Sequence, residues 1–151
     1  MSGGKALKLF SDCLTEYERG EILDYNQVYF LGLNAEKISA SSQERYNNGY
    51  DNEQGNYKIV KSDHIRYRYE VLEILGKGSF GQVVKCYDHK SNELVAIKII
   101  NNKKEFNQQA VIETKMLKCI KLNDCENKAN IITLYEHFTF RHHFVSLYVT
   151  L

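Results

Sequence analysis

Three glycines, one lysine and one glutamate carry the chemistry open to this sequence. Gly76, Gly78 and Gly81 lie in Leu75-Gly-Lys-Gly-Ser-Phe-Gly-Gln-Val83, and Lys98 follows Val95-Ala-Ile97, 22 positions after Gly76. Glycines so spaced let a backbone approach a ligand without Cβ clashes, so that its amides can reach phosphate oxygens. Lys98 is a cation in an apolar, strand-like run, Leu94-Val-Ala-Ile-Lys-Ile-Ile100. A lysine is almost never fully buried unless paired, and an uncompensated buried charge costs roughly several kcal/mol. A carboxylate partner is therefore expected, and Glu113 is the candidate. It lies within a stripe of helical period formed by Ala110, Met116 (or Leu117) and Ile120.

These residues need elements to hold them. The Gly-x-Gly-x-x-Gly spacing is shared with dinucleotide-binding folds, but there a helix opens after the glycines. Here Gln82-Val-Val-Lys-Cys-Tyr87 is β-branched and strand-like. The glycines are therefore read as the turn of a hairpin over phosphates, with Val83 toward a nucleotide and Phe80 at the tip shielding the phosphates from water. Strand alternation places Ala96, Lys98 and Ile100 on one face and Val95, Ile97 and Ile99 on the other. Ala96 is small and leaves room for an adenine ring against Val83 and Leu75. Strands are predicted at 67–75, 82–87 and 93–100, with Asp88-His-Lys-Ser-Asn92 as a turn. A helix follows over 105–121, then a polar connection at 123–130. A final hairpin spans 131–140 and 144–151 and turns at Arg141-His-His143. The order is three antiparallel strands, one helix and two strands.

Ahead of these lies a different kind of sequence. Residues 5–12 predict a short helix with Leu7 and Phe10 on one side. Thr15-Glu-Tyr-Glu18 has the form of a capping box and starts a helix running to about Asp24. Val28-Tyr-Phe-Leu31 reads as extended, and Tyr57-Lys-Ile-Val60 as a short strand. Residues 33–56 are polar and aperiodic, longer than a compact domain usually leaves unstructured. They are a flexible linker or an ordered functional loop.

Composition narrows the function classes. A chain of 151 residues with 43% hydrophobic content supports one ordinary domain and a tail. Mean hydropathy is -0.46 and there is no long apolar run, so no membrane span is expected. Met1-Ser-Gly-Gly-Lys-Ala-Leu-Lys-Leu-Phe10 is not a secretory signal, and Ser2 stands where myristoylation needs glycine. Net charge is +1 with lysines dispersed, which gives no nucleic-acid footprint. Cys13, Cys86, Cys119 and Cys125 form no Cys-x-x-Cys pair and read as free thiols of the cytosol or nucleus. His142-His143 has no converging ligands in sequence, so no metal site is expected. The eleven tyrosines read as packing residues.

The glycine hairpin, Tyr87-Asp-His-Lys90 and Val95-Ala-Ile-Lys98 together resemble the dual-specificity tyrosine-regulated kinases, the DYRK family. Leu14-Thr-Glu-Tyr-Glu-Arg-Gly-Glu-Ile-Leu-Asp-Tyr25, Val28-Tyr-Phe-Leu-Gly32, Asn47-Asn-Gly-Tyr-Asp51 and Asp63-His64 resemble that family's class II extension. The resemblance covers about residues 14–151. It implies an α+β fold, the small lobe of a protein kinase, with a five-stranded antiparallel sheet and one helix of the αC type. It divides the chain into a tail or short helix (1–13), an N-terminal extension with a homology box (14–66) and the lobe (67–151). It also turns 33–56 toward the ordered reading, as a box packed on the lobe. ATP is the implied cofactor, bound by Leu75, Gly76, Lys77, Gly78, Ser79, Phe80, Gly81, Gln82, Val83, Ala96 and Lys98, and on the hinge side by Tyr148, Val149 and Leu151. Lys98 would hold the α- and β-phosphates and Glu113 would orient it.

The sequence departs from the pattern at Asn26, where proline is usual, at Tyr148, where phenylalanine is usual, and at Val149, where glutamate is usual. No catalytic-loop Asp or Asn, no DFG aspartate and no activation-loop tyrosine occurs through Leu151. The chain as given is therefore expected not to transfer phosphate and to expose the face that meets the large lobe, with poor solubility as the consequence. Mg²⁺ and protein substrates are expected only with the complete kinase. The alternative is a non-catalytic interaction or regulatory module.

Overall fold

The structure is a computed structural model that describes residues 1–123 and 134–149. Helix α1 (Gly3–Phe10) is capped by the Ser2 hydroxyl, which accepts from the Lys5 amide at 3.3 Å. Helix α2 (Glu16–Glu21) opens with the expected capping box. Thr15 Oγ1 accepts from the Glu18 amide, and Glu18 Oε2 accepts from the Thr15 amide. Two orphan amides of the helix start are satisfied in this way.

Six antiparallel strands form one sheet: β1 (His64–Ile65), β2 (Tyr69–Gly78), β3 (Gly81–Asp88), β4 (Glu93–Ile100), β5 (Leu134–Phe140) and β6 (His143–Val149), in the order β1-β2-β3-β4-β6-β5. Helix α3 (Lys104–Asn123) connects β4 toward β5. This is the α+β architecture, an antiparallel sheet with one long helix, that the resemblance implies. The five expected strands are present, and the extension adds β1 as a sixth at the edge, pairing His64 with Glu70 and Ile65 with Tyr69.

Val28–Leu31 runs without a ladder, its Tyr29 and Phe30 amides both donating to the Tyr67 carbonyl. One expected strand does not form. Tyr57–Val60 contributes one isolated bridge, Asp51 to Tyr57. Short apolar runs fit either outcome in sequence; long-range partners decide. The stripe on α3 is also narrower than expected. Ala110 and Thr114 are buried, Leu117 is half-buried, and Met116 is exposed. The side chain of Ile120 lies outside the described residues.

Residues 33–56 pack on the lobe. Ala40 and Tyr50, with Tyr57, join Ile65, Tyr69, Val71, Val84, Cys86, Val95, Ile97, Ile99, Phe140, Val145 and Leu147 in one buried cluster. The extension thus covers the sheet face opposite Lys98. A second cluster, Ala6, Leu14, Ile22, Val28, Leu31 and Tyr67, holds the N-terminal helices together. A left-handed turn at Tyr46, Asn47 and Asn48 points Asn47 at the β5–β6 hairpin. There its Nδ2 donates to the Arg141 carbonyl at 2.6 Å.

Two buried polar networks tie the extension to the lobe. The Lys37 ammonium donates to Glu18 Oε1 (2.8 Å), Asp63 Oδ1 (2.7 Å) and the Leu31 carbonyl (2.8 Å). His64 Nδ1 accepts from the Tyr67 amide, which leaves the proton on Nε2 to reach Glu18 Oε1 at 2.9 Å. Burial lowers the His64 pKa, in keeping with this neutral tautomer. Burial alone would raise Glu18, but its hydrogen bonds and charge contacts with His64 and Lys37 hold it at about 2. Glu18, Asp63 and His64 stand close enough to ligate an ion; the Lys37 ammonium already occupies the space between the two carboxylates. The second network centres on Arg141 in the β5–β6 turn. It reaches Glu21 through two nitrogens (2.9 and 3.0 Å) and the Tyr57 hydroxyl (2.8 Å), and lies 4.0 Å from the Tyr50 ring centroid.

Candidate functional site

Strand register assembles the site on one face of the sheet. Val83 pairs with Lys98, Lys98 with Ser146, and Ala96 with Tyr148. Side chains at paired antiparallel positions share a face, so Val83, Ala96, Lys98, Ser146 and Tyr148 line one side. Helix α3 closes over it. Lys98 Nζ lies 3.4 Å from both carboxylate oxygens of Glu113. The side chains remain 18% and 45% exposed, so the pair sits in an open cleft and neither member is sealed in the core. The carboxylate partner expected for Lys98 is in place.

The glycine hairpin is the β2–β3 turn, with Gly78 paired to Gly81. A Cβ at Gly76 would meet nothing within 4 Å, which leaves open space beside the backbone there. Gly81 is required for the opposite reason: its Cβ would lie 2.5 Å from the Ile99 carbonyl oxygen on the neighbouring strand. Leu75 is exposed at a bulge in the β2–β3 register. Phe80 is exposed at the tip and leans toward helix α3 and Lys98. Its ring lies 6.3 Å from that of Phe106, and Lys98 Nζ lies 5.2 Å from its centroid. The phenyl ring faces the ammonium in a cation–π contact.

Two expected nucleotide contacts turn away from the cleft. Gln82 pairs with Ile99, on the opposite face from Val83, and its Nε2 donates to the Tyr57 carbonyl at 2.7 Å. Lys77, paired with Gln82, lines the same outer cavity. Alternation explains both: next to an inward Val83, Gln82 must face out. Ser79 lies in the turn between β2 and β3. Tyr148 is half-buried in the cleft face. Burial and then the Glu113 charge push its phenol up, against a hydrogen bond with Ser146. Val149 ends β6; its side chain and all of Leu151 lie outside the described residues.

Sequence reasoning missed Ser146, which alternation from Tyr148 could have found. It also missed Arg141 and Asn101, for which no local signal exists. Of the cysteines, Cys86 is buried, and burial pushes its thiol up to about 12. Cys13 and Cys119 are exposed, and Cys125 lies outside the described residues. Among the described residues no helix is long and apolar enough to cross a membrane.

A glycine hairpin over a strand lysine paired to a helix glutamate defines the class: a protein kinase small lobe. The protein kinase domain family matches residues 69–150. The chain is 50% identical over 144 residues to human dual specificity tyrosine-phosphorylation-regulated kinase 4, covering 95% of this chain and 28% of that protein. It is 51% identical over 140 residues to the probable serine/threonine-protein kinase dyrk2 of Dictyostelium discoideum (93% and 15%). It is 49% identical over 143 residues to a putative dual specificity tyrosine-phosphorylation-regulated kinase 3 homolog of Drosophila melanogaster (95% and 17%). The chain belongs to the protein kinase family, on its DYRK branch. It spans less than a third of the length of these curated relatives.

Proposed function

We propose that this chain is the nucleotide-holding lobe of a dual-specificity protein kinase that moves the γ-phosphoryl of Mg-ATP to Ser or Thr of proteins and to its own Tyr. The observation that carries this is the Lys98–Glu113 pair, held 3.4 Å apart on the cleft face beneath the glycine hairpin. ATP supplies the phosphoryl group. Lys98 donates to the α- and β-phosphates, and Glu113 keeps its ammonium aimed at them. The hairpin amides cover the phosphates, and the open space at Gly76 gives them access. The adenine ring lies between Val83, Leu75 and Ala96 and reaches backbone groups near Tyr148 and Val149. Phe80 must swing off Lys98 as the phosphates arrive, trading a cation–π contact for cover above them. Glu113 is committed to Lys98, so Mg²⁺ is assigned no ligand from this lobe. We place the protein in the cytosol or nucleus.

The test is binding of a fluorescent ATP analogue to the chain and to Lys98→Met. The reading expects saturable binding that weakens at least tenfold in the variant. Equal binding by both proteins, or none by either, refutes it and favours the non-catalytic module.

A further inference from the structure

Asn101, the first residue after β4, joins three separate parts of the chain. Its backbone amide donates to the carbonyl of Phe80, in the glycine turn, at 2.8 Å. Its side-chain Nδ2 donates to the Gln54 carbonyl at 2.8 Å and to Asn56 Oδ1 at 3.0 Å, both in the extension. The residue is 2% exposed. Its neighbour repeats the pattern: the Asn102 amide donates to the Gly55 carbonyl at 2.8 Å, and its Nδ2 to Asp51 Oδ2 at 3.2 Å. Just beyond the glycine turn, Gln82 Nε2 donates to the Tyr57 carbonyl. The base of the hairpin is thus bonded from behind to one short turn of the extension, Asn52 to Tyr57.

The fit is close and specific. Gly55 has φ +82, and a Cβ there would lie 3.0 Å from Asn101 Oδ1. That oxygen is buried and has no hydrogen-bond partner. A buried orphan acceptor is unfavourable, yet it accompanies a donor that makes two bonds to the extension. On β2 the extension's backbone bonds fall at its start, where Ser62 and Asp63 meet Val71. A cavity of about 260 Å³ separates Asn56 and Lys58 from Ile74, Lys77 and Gly78. Support is therefore concentrated at the return strand, at Phe80 and Gln82.

We propose that Asn101 is a positioning residue for the glycine hairpin: the Gln54–Asn56 turn of the extension fixes Asn101, and Asn101 fixes the height of Phe80 over Lys98. The extension then tunes nucleotide affinity through a chain of hydrogen bonds, without touching the nucleotide. The affinity clause rests on the nucleotide-binding reading above; the clamp itself does not.

Two variants test it from opposite ends. Asn101→Ala removes the side-chain bonds to Gln54 and Asn56 and keeps the backbone amide that bonds Phe80. Gly55→Val drives a side chain against Asn101 from the extension. Amide hydrogen exchange on the ligand-free protein is the first readout. Both variants are expected to raise exchange at 78–82 by about tenfold or more, with amides of Val95–Ile99 unchanged. Binding of the fluorescent ATP analogue is the second, with dissociation constants expected to rise about five- to tenfold. Asn101→Ser, which restores a short polar side chain, recovers part of both effects. Unchanged exchange at 78–82 in Asn101→Ala overturns the clamp, and so does a uniform rise across the sheet. Faster hairpin exchange with unchanged affinity overturns the link to nucleotide. If wild type and Lys98→Met bind the analogue alike, the nucleotide reading falls, while the exchange data still judge the clamp.

Discussion

Replacing Arg141 with leucine tests how the extension is held to the lobe. The guanidinium is 1% exposed and Glu21, its bidentate partner, 13%. Arg141→Leu deletes two charge-assisted bonds, each about 1.5–3 kcal/mol, and one bond to the Tyr57 hydroxyl. It also strands Glu21 with its charge uncompensated, although water still reaches that carboxylate in part. Breaking one side of a buried pair costs about 3–5 kcal/mol, and partial hydration of Glu21 places this case near 3 kcal/mol. For a chain of this size that corresponds to a fall in Tm of about 10 °C. The double variant Arg141→Leu/Glu21→Leu removes the stranded charge, so it is expected to be more stable than the sum of the singles predicts. Urea denaturation of wild type, both singles and the double closes the cycle. A coupling above about 1.5 kcal/mol is expected. A coupling under about 0.5 kcal/mol, or a loss of less than about 1 kcal/mol in Arg141→Leu, refutes the claim that this pair anchors the extension.

Acid should destabilise the fold in two stages. Burial depresses the folded-state pKa of His64, and His64 with Lys37 outweighs burial to depress Glu18 to about 2. The unfolded chain therefore binds more protons, and stability present near pH 7 is lost first as pH falls below about 6.5, then further from about 4.5 toward 2. Denaturation midpoints across pH 3–8 check this; a flat profile contradicts it. Glu113→Gln leaves Lys98 without its carboxylate, so analogue affinity should fall about tenfold with a stability change under about 1 kcal/mol, because the pair is partly exposed. Gly81→Ala forces its methyl toward the Ile99 carbonyl and should cost about 1–3 kcal/mol by denaturation. Thr15→Ala removes the helix cap and should cost about 1 kcal/mol by the same measure.

The sequence by itself determined what depends on neighbours along the chain. The alternation around Lys98 separated the two strand faces, Thr15 and Glu18 marked a helix start, and the β-branched run after Gly81 chose hairpin over helix. The place of Glu113 within the helical stripe named it as the partner of Lys98. Tertiary structure decided what depends on partners far away. Tyr57–Val60 reads as a strand but lacks continuous ladder partners, so it contributes one isolated bridge. Gln82 is one residue from Val83 and serves the opposite face, which an interval of two along a strand requires. Arg141 looked like an ordinary turn residue because its partners, Glu21 and Tyr57, are 120 and 84 positions away. Asn101 gave no local signal for the same reason: its bonds to Gln54 and Asn56 span 47 and 45 positions. Period and capping are short-range and legible in the residues alone; which face the extension covers depends on packing between segments that sequence order keeps apart.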